Sequence, residues 1–383
     1  MEEKMRALLT PWRSVAAGFL LNGVLLGTWA SRVPAVMAHF LFDKASFGGV
    51  LLLLGLGALF SFPIAGRLSD SLGAVRVARM IAIPFLLSIA FLGLAPTTPL
   101  LAIALFLFGM CHGSMDVAMN SWASEVEKHM RRSVMSSFHA MWSVGAVLGA
   151  ASGYVATAFQ VPVYIHFLVT AAVTGGTITP FLLLNWQSTI RTHVRGAARS
   201  AVPNSALLLV GIIALASGLG EGTALDWSAV YLHDVVGTAQ SDATLGYTGF
   251  SAAMVIARLN ADSLVTRLGS ATVTRLSGLS AVFGILLIVS GDTLPLVVVG
   301  FVLMGVGYAA VLPLAFSRAA ADRVVPAGKG IASVAIFAYG AMTLGPFVIG
   351  ILAEATTMRV CFFLVGLFAV LVAVLAPVLG NKT

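Results

Sequence analysis

Twelve stretches of this chain are too long and too apolar to pack inside a water-soluble domain of its size. They centre on Ser14–Ala38, Ala45–Leu68, Val77–Ala95, Leu100–Ala123, Val134–Ala158 and Val163–Leu184, then on Ala206–Leu232, Ala243–Val265, Val273–Ser290, Leu294–Phe316, Ile331–Ala353 and Val360–Leu379. A helix crosses a bilayer with about 20 apolar residues. A spanning segment must also satisfy its own backbone, so only helices and closed barrels qualify. A barrel would show short alternating strands instead of these runs. Composition agrees, since 59% of the 383 residues are hydrophobic and 10% charged, against roughly 25% charged in soluble domains. Twelve spans consume roughly 240 residues. The remainder excludes a sizeable soluble module such as a nucleotide-binding ATPase, so any driving force must come from ions, solute gradients or a partner.

The charges orient the spans. With the N-terminus in the cytoplasm, 19 of the 22 Lys and Arg residues fall on the cytoplasmic side, leaving Arg32, Lys44 and Arg359. This loop-by-loop asymmetry is the positive-inside pattern, and it holds only for an even span count with both termini inside. The net charge of +7 therefore points to a membrane face and not to nucleic acid. Cys111 and Cys361 lie inside apolar runs with no paired spacing, which predicts neither a disulfide framework nor a zinc site. The first apolar stretch is long and studded with polar residues, unlike a cleaved signal peptide.

A basic, weakly apolar segment divides the chain into an N-terminal six-helix half (1–186), a cytoplasmic linker (187–203) and a C-terminal six-helix half (204–383). The halves echo each other. Gly66-Arg67-Leu68-Ser69-Asp70-Ser71-Leu72-Gly73 follows the second span, and Ala257-Arg258-Leu259-Asn260-Ala261-Asp262-Ser263-Leu264 ends the eighth; their shared Asp-Ser-Leu is offset by 192 residues. Gly145, Gly149 and Gly153 in the fifth span are echoed by Gly340, Gly345 and Gly350 in the eleventh. The fold class expected is an all-α membrane protein of twelve transmembrane helices in two pseudo-symmetric halves, a plan shared by many secondary transporters.

Span count, central basic segment and paired motifs together resemble the major facilitator superfamily, over the whole chain. The family signature after the second span is matched by Gly66, Asp70 and Gly73, with Ser71 and Ala74 at two positions that are usually basic and Arg76 displaced. The segments Gly113–Asn120, Phe138–Gly145 and Glu221–Leu232 resemble a bacterial branch with rhizopine-associated membrane proteins and, more distantly, fucose-proton symporters. The resemblance implies a multi-pass protein of the bacterial inner membrane, working by alternating access on a small polar solute. It implies that Asp70 takes part in contacts that hold an inner gate shut, with Arg67 and Arg76 beside it. Glu125 near Arg131, and Asp262 near Arg267, are candidates for the same gating role. It also places Asp116 where the symporters carry a coupling carboxylate.

Ionisable groups at membrane depth are costly and mark function by default. His112, Asp116 and Asn120 are spaced i, i+4, i+8, on one helical stripe. A carboxylate there would take a proton when the site closes and release it when water returns, which is what proton coupling requires. The alternative is a structural hydrogen-bond role with Asn22, Arg32 or His139. Gly218, Gly220 and Gly222 around Glu221 predict a loosened seventh helix. Glu221 is the second proton-coupling candidate, or else the partner of Arg32 in a buried ion pair. Asn22, Trp29, Arg32, His112, Asn120, His139, Trp142, Asp226, Trp227 and Tyr339 are candidates for binding a hydroxylated substrate, rings facing its C–H surface and amides its hydroxyls. His139 and Trp142 lie one turn apart, towards the cytoplasmic part of the fifth span, and also suit an inner gate. Trp12 and Trp186 read as interfacial anchors. No metal or cofactor is expected beyond the proton, no nucleophile and base recur at catalytic spacing, and the functional unit expected is a monomer. Uptake is the leading direction. Efflux of an amphipathic metabolite is the alternative, and a non-transporting receptor or scaffold a further one.

Overall fold

The computed structural model describes residues 10–42, 44–188, 205–238, 242 and 245–380. Most of the expected linker, 189–203, lies outside them. Contacts gather the chain into two compact units, one of Met1–Arg131, Phe138–Ala201 and Arg323–Ala332, the other of Arg132–Ser137, Val202–Asp322 and Ser333–Thr383.

The first unit is built on α1 (Pro11–Phe40), α2 (Lys44–Leu72), α3 (Ala74–Leu94), α4 (Thr98–Met130), α5 (Met135–Ala158) and α6 (Val163–Thr177), closed by a 3-10 turn at Thr179–Leu183. Local chemistry sets the boundaries. Thr10 caps α1 by accepting from the Arg13 N–H, Pro11 occupies the first turn, and Leu41 ends the helix in the left-handed region, the reverse side of the Pro-start rule. Between α2 and α3 stands Gly73 at φ 90°, a conformation that a side chain would strain. α1 and α5 meet backbone to backbone. A Cβ on Gly23 would lie 2.0 Å from the Trp142 carbonyl oxygen, and one on Gly27 2.1 Å from that of Ala146; small residues permit this approach in membranes.

The second unit carries α7 (Ser205–Val230), which runs on into a π turn at Tyr231–Val235, then α8 (Leu245–Leu268), α9 (Ser270–Ser290), α10 (Leu294–Tyr308), α11 (Val311–Ala320), α12 (Ala327–Ala355) and α13 (Met358–Leu375). The first residues of α12 belong to the other unit. Tyr231 anchors the core: its ring meets Phe362 at 4.9 Å and its hydroxyl donates to the Ile288 carbonyl at 2.7 Å.

Outward faces are apolar. Ile83, Leu87, Phe91 and Leu94 on α3, and Leu367, Val370, Leu371 and Val374 on α13, are exposed at helical spacing. Stripes of this length would be aggregation sites in water and are the expected surface in lipid. Among the described residues, eleven segments are long and apolar enough to cross a membrane. The remaining expected span is α8, whose 24 residues include Arg258, Asn260, Asp262 and Arg267. It is helical, but too polar to count by hydropathy alone.

Two expectations about helix continuity change. α7 passes unbroken through Gly218, Gly220 and Gly222. These glycines make room: a Cβ on Gly218 would lie 2.3 Å from the Ala338 carbonyl oxygen, and one on Gly220 2.2 Å from the Tyr308 ring. The interruption falls in the tenth span, where α10 ends at Tyr308 and α11 begins at Val311.

Candidate functional site

Each unit buries a polar cluster that contains a sequence-predicted carboxylate. In the first, α1, α4 and α5 bring together Asn22, Asp116, Asn120, His139 and Trp142. The Asn120 amide donates to the Asp116 carboxylate at 3.2 Å and to the Asp116 carbonyl at 2.9 Å, while its oxygen meets His139 Nε2 at 3.2 Å. The i, i+4 spacing makes the first contact possible, and the close crossing of α5 supplies the second. Asn22 accepts from Trp142 Nε1 at 3.0 Å and donates to the His112 carbonyl at 3.2 Å. Asp116 is 3% exposed and Asn22 fully buried. Ionising such a carboxylate costs several kcal/mol of lost hydration, which hydrogen bonds to it offset by about 1.5–3 kcal/mol each. The His139 ring also packs edge-on against Phe19, with centroids 5.2 Å apart. His112 lies on the same buried stripe, its ring 6.3 Å from that of Phe85.

In the second unit Glu221 pairs with Arg258, not with Arg32. The guanidinium Nη2 lies 3.3 Å from Glu221 Oε2, and the two side chains are 7% and 13% exposed for Arg258 and Glu221. Ser217 donates to Glu221 Oε1 at 3.0 Å from one turn away. Arg258 Nε donates to the Ala309 carbonyl at 3.2 Å. The helix break explains this last bond. Pro313, four residues on from Ala309, has no N–H to return to that carbonyl, and the arginine takes its place. Arg258 had the look of one more basic residue on the cytoplasmic side. Its spacing of four before Asp262 puts both on one stripe, and Pro313 marks the carbonyl it fills; together these were the available signals.

The gating candidates adopt another arrangement. Asp70 does not turn to Arg67 or Arg76, which are exposed; its two oxygens accept from the backbone N–H groups of Gly328 at 2.8 Å and Lys329 at 3.0 Å, inside the first unit. In the second unit Asp262 accepts from the N–H groups of Ser136 at 3.0 Å and Ser137 at 2.7 Å, and from the Ser133 hydroxyl at 3.1 Å. Each carboxylate therefore sits on the first turn of a helix, α12 or α5, where unpaired N–H groups and the helix dipole favour a negative charge. Glu125 accepts from Trp186 Nε1 at 2.8 Å, so Trp186 is tied into the protein as well as amphipathic. Asp70, Glu125, Lys128 and Trp186 line a cavity of about 170 Å³. Arg131 and Arg267 are exposed at helix ends.

The remaining binding candidates are scattered. Trp29 is buried against Phe167, with centroids 6.4 Å apart. Trp227 packs beside Gly350, Tyr339 is half-buried, and Asp226 is exposed. Arg32 donates to the Val161 carbonyl at 2.8 Å.

Helices with lipid-facing apolar stripes around buried carboxylates, amides and a guanidinium define a multi-pass integral membrane protein with polar machinery at membrane depth. The Major Facilitator Superfamily profile matches residues 15–321, and the chain belongs to that family of transporters. It is 84% identical over 375 residues to the transporter y4wD of Sinorhizobium fredii, covering 98% of this chain and 100% of the other. It is 28% identical over 354 residues to the membrane protein MosC of Rhizobium meliloti, covering 92% and 86%. Among solved structures, the Escherichia coli fucose:proton symporter FucP superposes with a TM-score of 0.77 at 15% identity, covering 97% and 99% of the two chains. The human organic anion transporter MFSD10 gives the same TM-score at 17% identity, also over 97% and 99%. The protein is thus a transporter for a small molecule and not an enzyme.

Proposed function

We propose that the protein couples protons to the uptake of a small polar solute, a sugar, polyol or derivative, by alternating access in a bacterial inner membrane, with both termini cytoplasmic and one chain as the functional unit. The observation that carries this reading is the buried Asp116–Asn120–His139 chain beside Asn22 and Trp142. Amide, imidazole and indole groups that hydrogen-bond one another are of the kind that recognise a hydroxylated ligand. Asp116 is the group that gains or loses a proton as water access changes, and Glu221 on its Arg258 partner is the second candidate. The fold shared with a fucose:proton symporter supports the reading. Asp70 and Asp262 would bias the conformational equilibrium by holding or releasing the first turns of α12 and α5, a task that needs only a few kcal/mol.

The test begins with a thermal-shift screen of sugars, polyols, amino acids and organic anions, followed by flux of the hits in proteoliposomes. Asp116→Asn is expected to abolish accumulation driven by an imposed pH gradient while leaving equilibrium exchange intact. Unchanged accumulation in that variant would remove Asp116 from the coupling role. The sign of the substrate-induced pH change separates uptake from efflux.

A further inference from the structure

A groove of about 600 Å³ runs along the second unit between α8, α9 and α10. Small residues open it: Gly249, Ala252, Ala253 and Ala257 line its α8 wall. On its rims Ile256, Leu264 and Leu276 are 64%, 46% and 52% exposed, so the groove opens to the surroundings of the helix bundle. Its lining positions on α8 run from Gly249 to Leu268, about 28 Å at the helical rise and close to the roughly 30 Å of a hydrocarbon core. Asn260 and Ser277 are the only polar side chains that line it. An apolar space of this kind gives water too few partners, and in a bilayer an acyl chain fills it.

The groove belongs to this half and not to the duplicated frame. Gly109 meets the Leu54 carbonyl and Gly305 that of Phe250, which sets the halves 196 residues apart at this place. In that register the lining residues Ala252, Ile256, Asn260, Ser277 and Val302 correspond to Leu56, Phe60, Ile64, Ile81 and Phe106. Each is larger in the first unit or, at Asn260, more apolar. Phe60 and Phe106 pack with ring centroids 6.0 Å apart, at the positions where Ile256 and Val302 leave space. Ala253 alone of these neighbours goes to a smaller residue, Gly57, and that glycine closes space: its Cβ would lie 2.1 Å from the Phe106 carbonyl oxygen.

Arg267 marks one end of the groove. It lies in the last turn of α8, on the stripe of Asn260 and Leu264, and is exposed. Among the described residues it has no hydrogen bond or ion pair. Asp262, the only acid on α8, is committed to the N–H groups of Ser136 and Ser137. The position matching Arg267 in the first unit is Ser71. Seven residues deeper, about 10 Å, the Asn260 amide donates to the Ile256 carbonyl at 2.8 Å, and its second N–H has no partner among the described residues. Lipid tails are as apolar as the groove walls, so a chain contributes fit and little selection; selection falls to the charge at the end.

We propose that this groove is a site for an anionic phospholipid, with one acyl chain along the small residues of α8, an ester oxygen at Asn260 and the phosphate at Arg267. The site does not depend on the role of Asp116, nor on the direction of transport.

Photolabelling of the full chain in phosphatidylcholine nanodiscs tests the site. Two probes carry the same diazirine-bearing acyl chain, one on phosphatidylglycerol and one on phosphatidylcholine, and labelled peptides are mapped by mass spectrometry. The phosphatidylglycerol probe is expected to label the groove, at Ile256, Leu264 and Leu276, about fivefold more than the phosphatidylcholine probe, the preference that one arginine at the membrane surface gives. Arg267→Gln should remove that preference while the phosphatidylcholine probe still labels the groove. Ala252→Leu/Asn260→Ile, which installs the residues of the matching positions in the first unit, should lower labelling of the groove by both probes with Arg267 in place. The comparison of the two probes on the wild-type chain needs no variant and stands if either fails to fold. Equal labelling of the groove by both probes overturns the proposal, as does a groove that neither probe labels, the result expected of a second copy seated there. Preference unchanged in Arg267→Gln, or labelling unchanged in the filled variant, overturns it as well.

Discussion

Removing Arg258 asks whether the second unit depends on its buried ion pair. At the observed 3.3 Å separation, two unit charges attract by about 5 kcal/mol at an effective dielectric of 20. Most of this is offset by the several kcal/mol needed to dehydrate each ion. The intact pair is therefore close to neutral for stability, whereas a half-pair is not. Arg258→Met strands Glu221 in the core and leaves the Ala309 carbonyl, with Pro313 behind it, without its donor. The first loss is worth about 3–5 kcal/mol, and the second about 1–3 kcal/mol. Glu221→Leu strands the guanidinium and removes the acceptor of Ser217, at a similar 3–5 kcal/mol.

The double variant Glu221→Leu/Arg258→Met removes both charges. It should be more stable than Arg258→Met alone, with no buried charge stranded and only the Ala309 carbonyl and the Ser217 hydroxyl deprived of these partners. The assay is the fraction of full-length protein that stays monodisperse on size exclusion after heating in detergent, for wild type, both single variants and the double. A double-mutant cycle isolates the pair. If the losses simply add, making the double variant the least stable of the four, the carboxylate and guanidinium are not supporting each other and the pairing argument fails.

Two further perturbations test other parts of the structure. Asp70→Ala and Asp262→Ala each take a carboxylate off a helix start, a loss of about 0.5–2 kcal/mol; hydrogen exchange should quicken at Gly328 and Lys329 in the first and at Ser136 and Ser137 in the second, and unchanged protection would deny the caps. Gly23→Ala should fail to fold, because its new Cβ would stand 2.0 Å from the Trp142 carbonyl oxygen, whereas Gly340→Ala, with nothing within 4 Å, should be neutral or gain up to about 1 kcal/mol of helix propensity; melting and expression of the pair would show it, and equal behaviour would refute the close crossing.

The helices were legible in the sequence because lipid imposes one rule on every span. A segment must be apolar, long and self-satisfied in hydrogen bonds, and even α8, too polar for that rule, is betrayed by the regular spacing of its neighbours. The i, i+4, i+8 stripe of His112, Asp116 and Asn120 was legible for a local reason, since helical periodicity alone puts these residues on one face. Partner choice was not legible. Asn22 meets Trp142, and Glu221 meets Arg258, across 120 and 37 residues, through helix crossings that glycines allow but do not specify. Glycine has two uses, loosening a helix or letting another approach, and around Glu221 only the three-dimensional neighbours decide between them.

The duplication itself sharpens what the two polar clusters mean. The Asp-Ser-Leu echo sets the halves 192 residues apart, but the packing sets them one turn further. Gly73 and Gly269, the positive-φ joints, are 196 apart, and so are Gly109 and Gly305, which meet the carbonyls of Leu54 and Phe250, themselves 196 apart. Gly23 and Gly218 differ by 195, and the carbonyls they touch, Trp142 and Ala338, by 196. Asp262 therefore caps its helix one turn deeper than Asp70 does, a slip of four residues, or about one helical turn. In the packing frame of 196, Asp116 corresponds to Leu312, Asn120 to Phe316 and Arg258 to Phe62; in the frame of 195 that fits the first and seventh spans, Glu221 corresponds to Leu26. These four have apolar counterparts, but Asn22 corresponds to Ser217, the residue that donates to Glu221 in the other cluster. The ionisable groups of the two clusters thus stand at different positions of the duplicated frame, even though Asn22 and Ser217 share one. On the proposed reading with Asp116 as the coupling group, this asymmetry assigns proton and solute to the first half and leaves the Glu221–Arg258 pair fixed in the second. Loss of Asp116 cannot then be compensated by Glu221, and the two substitutions should impair transport in distinguishable ways.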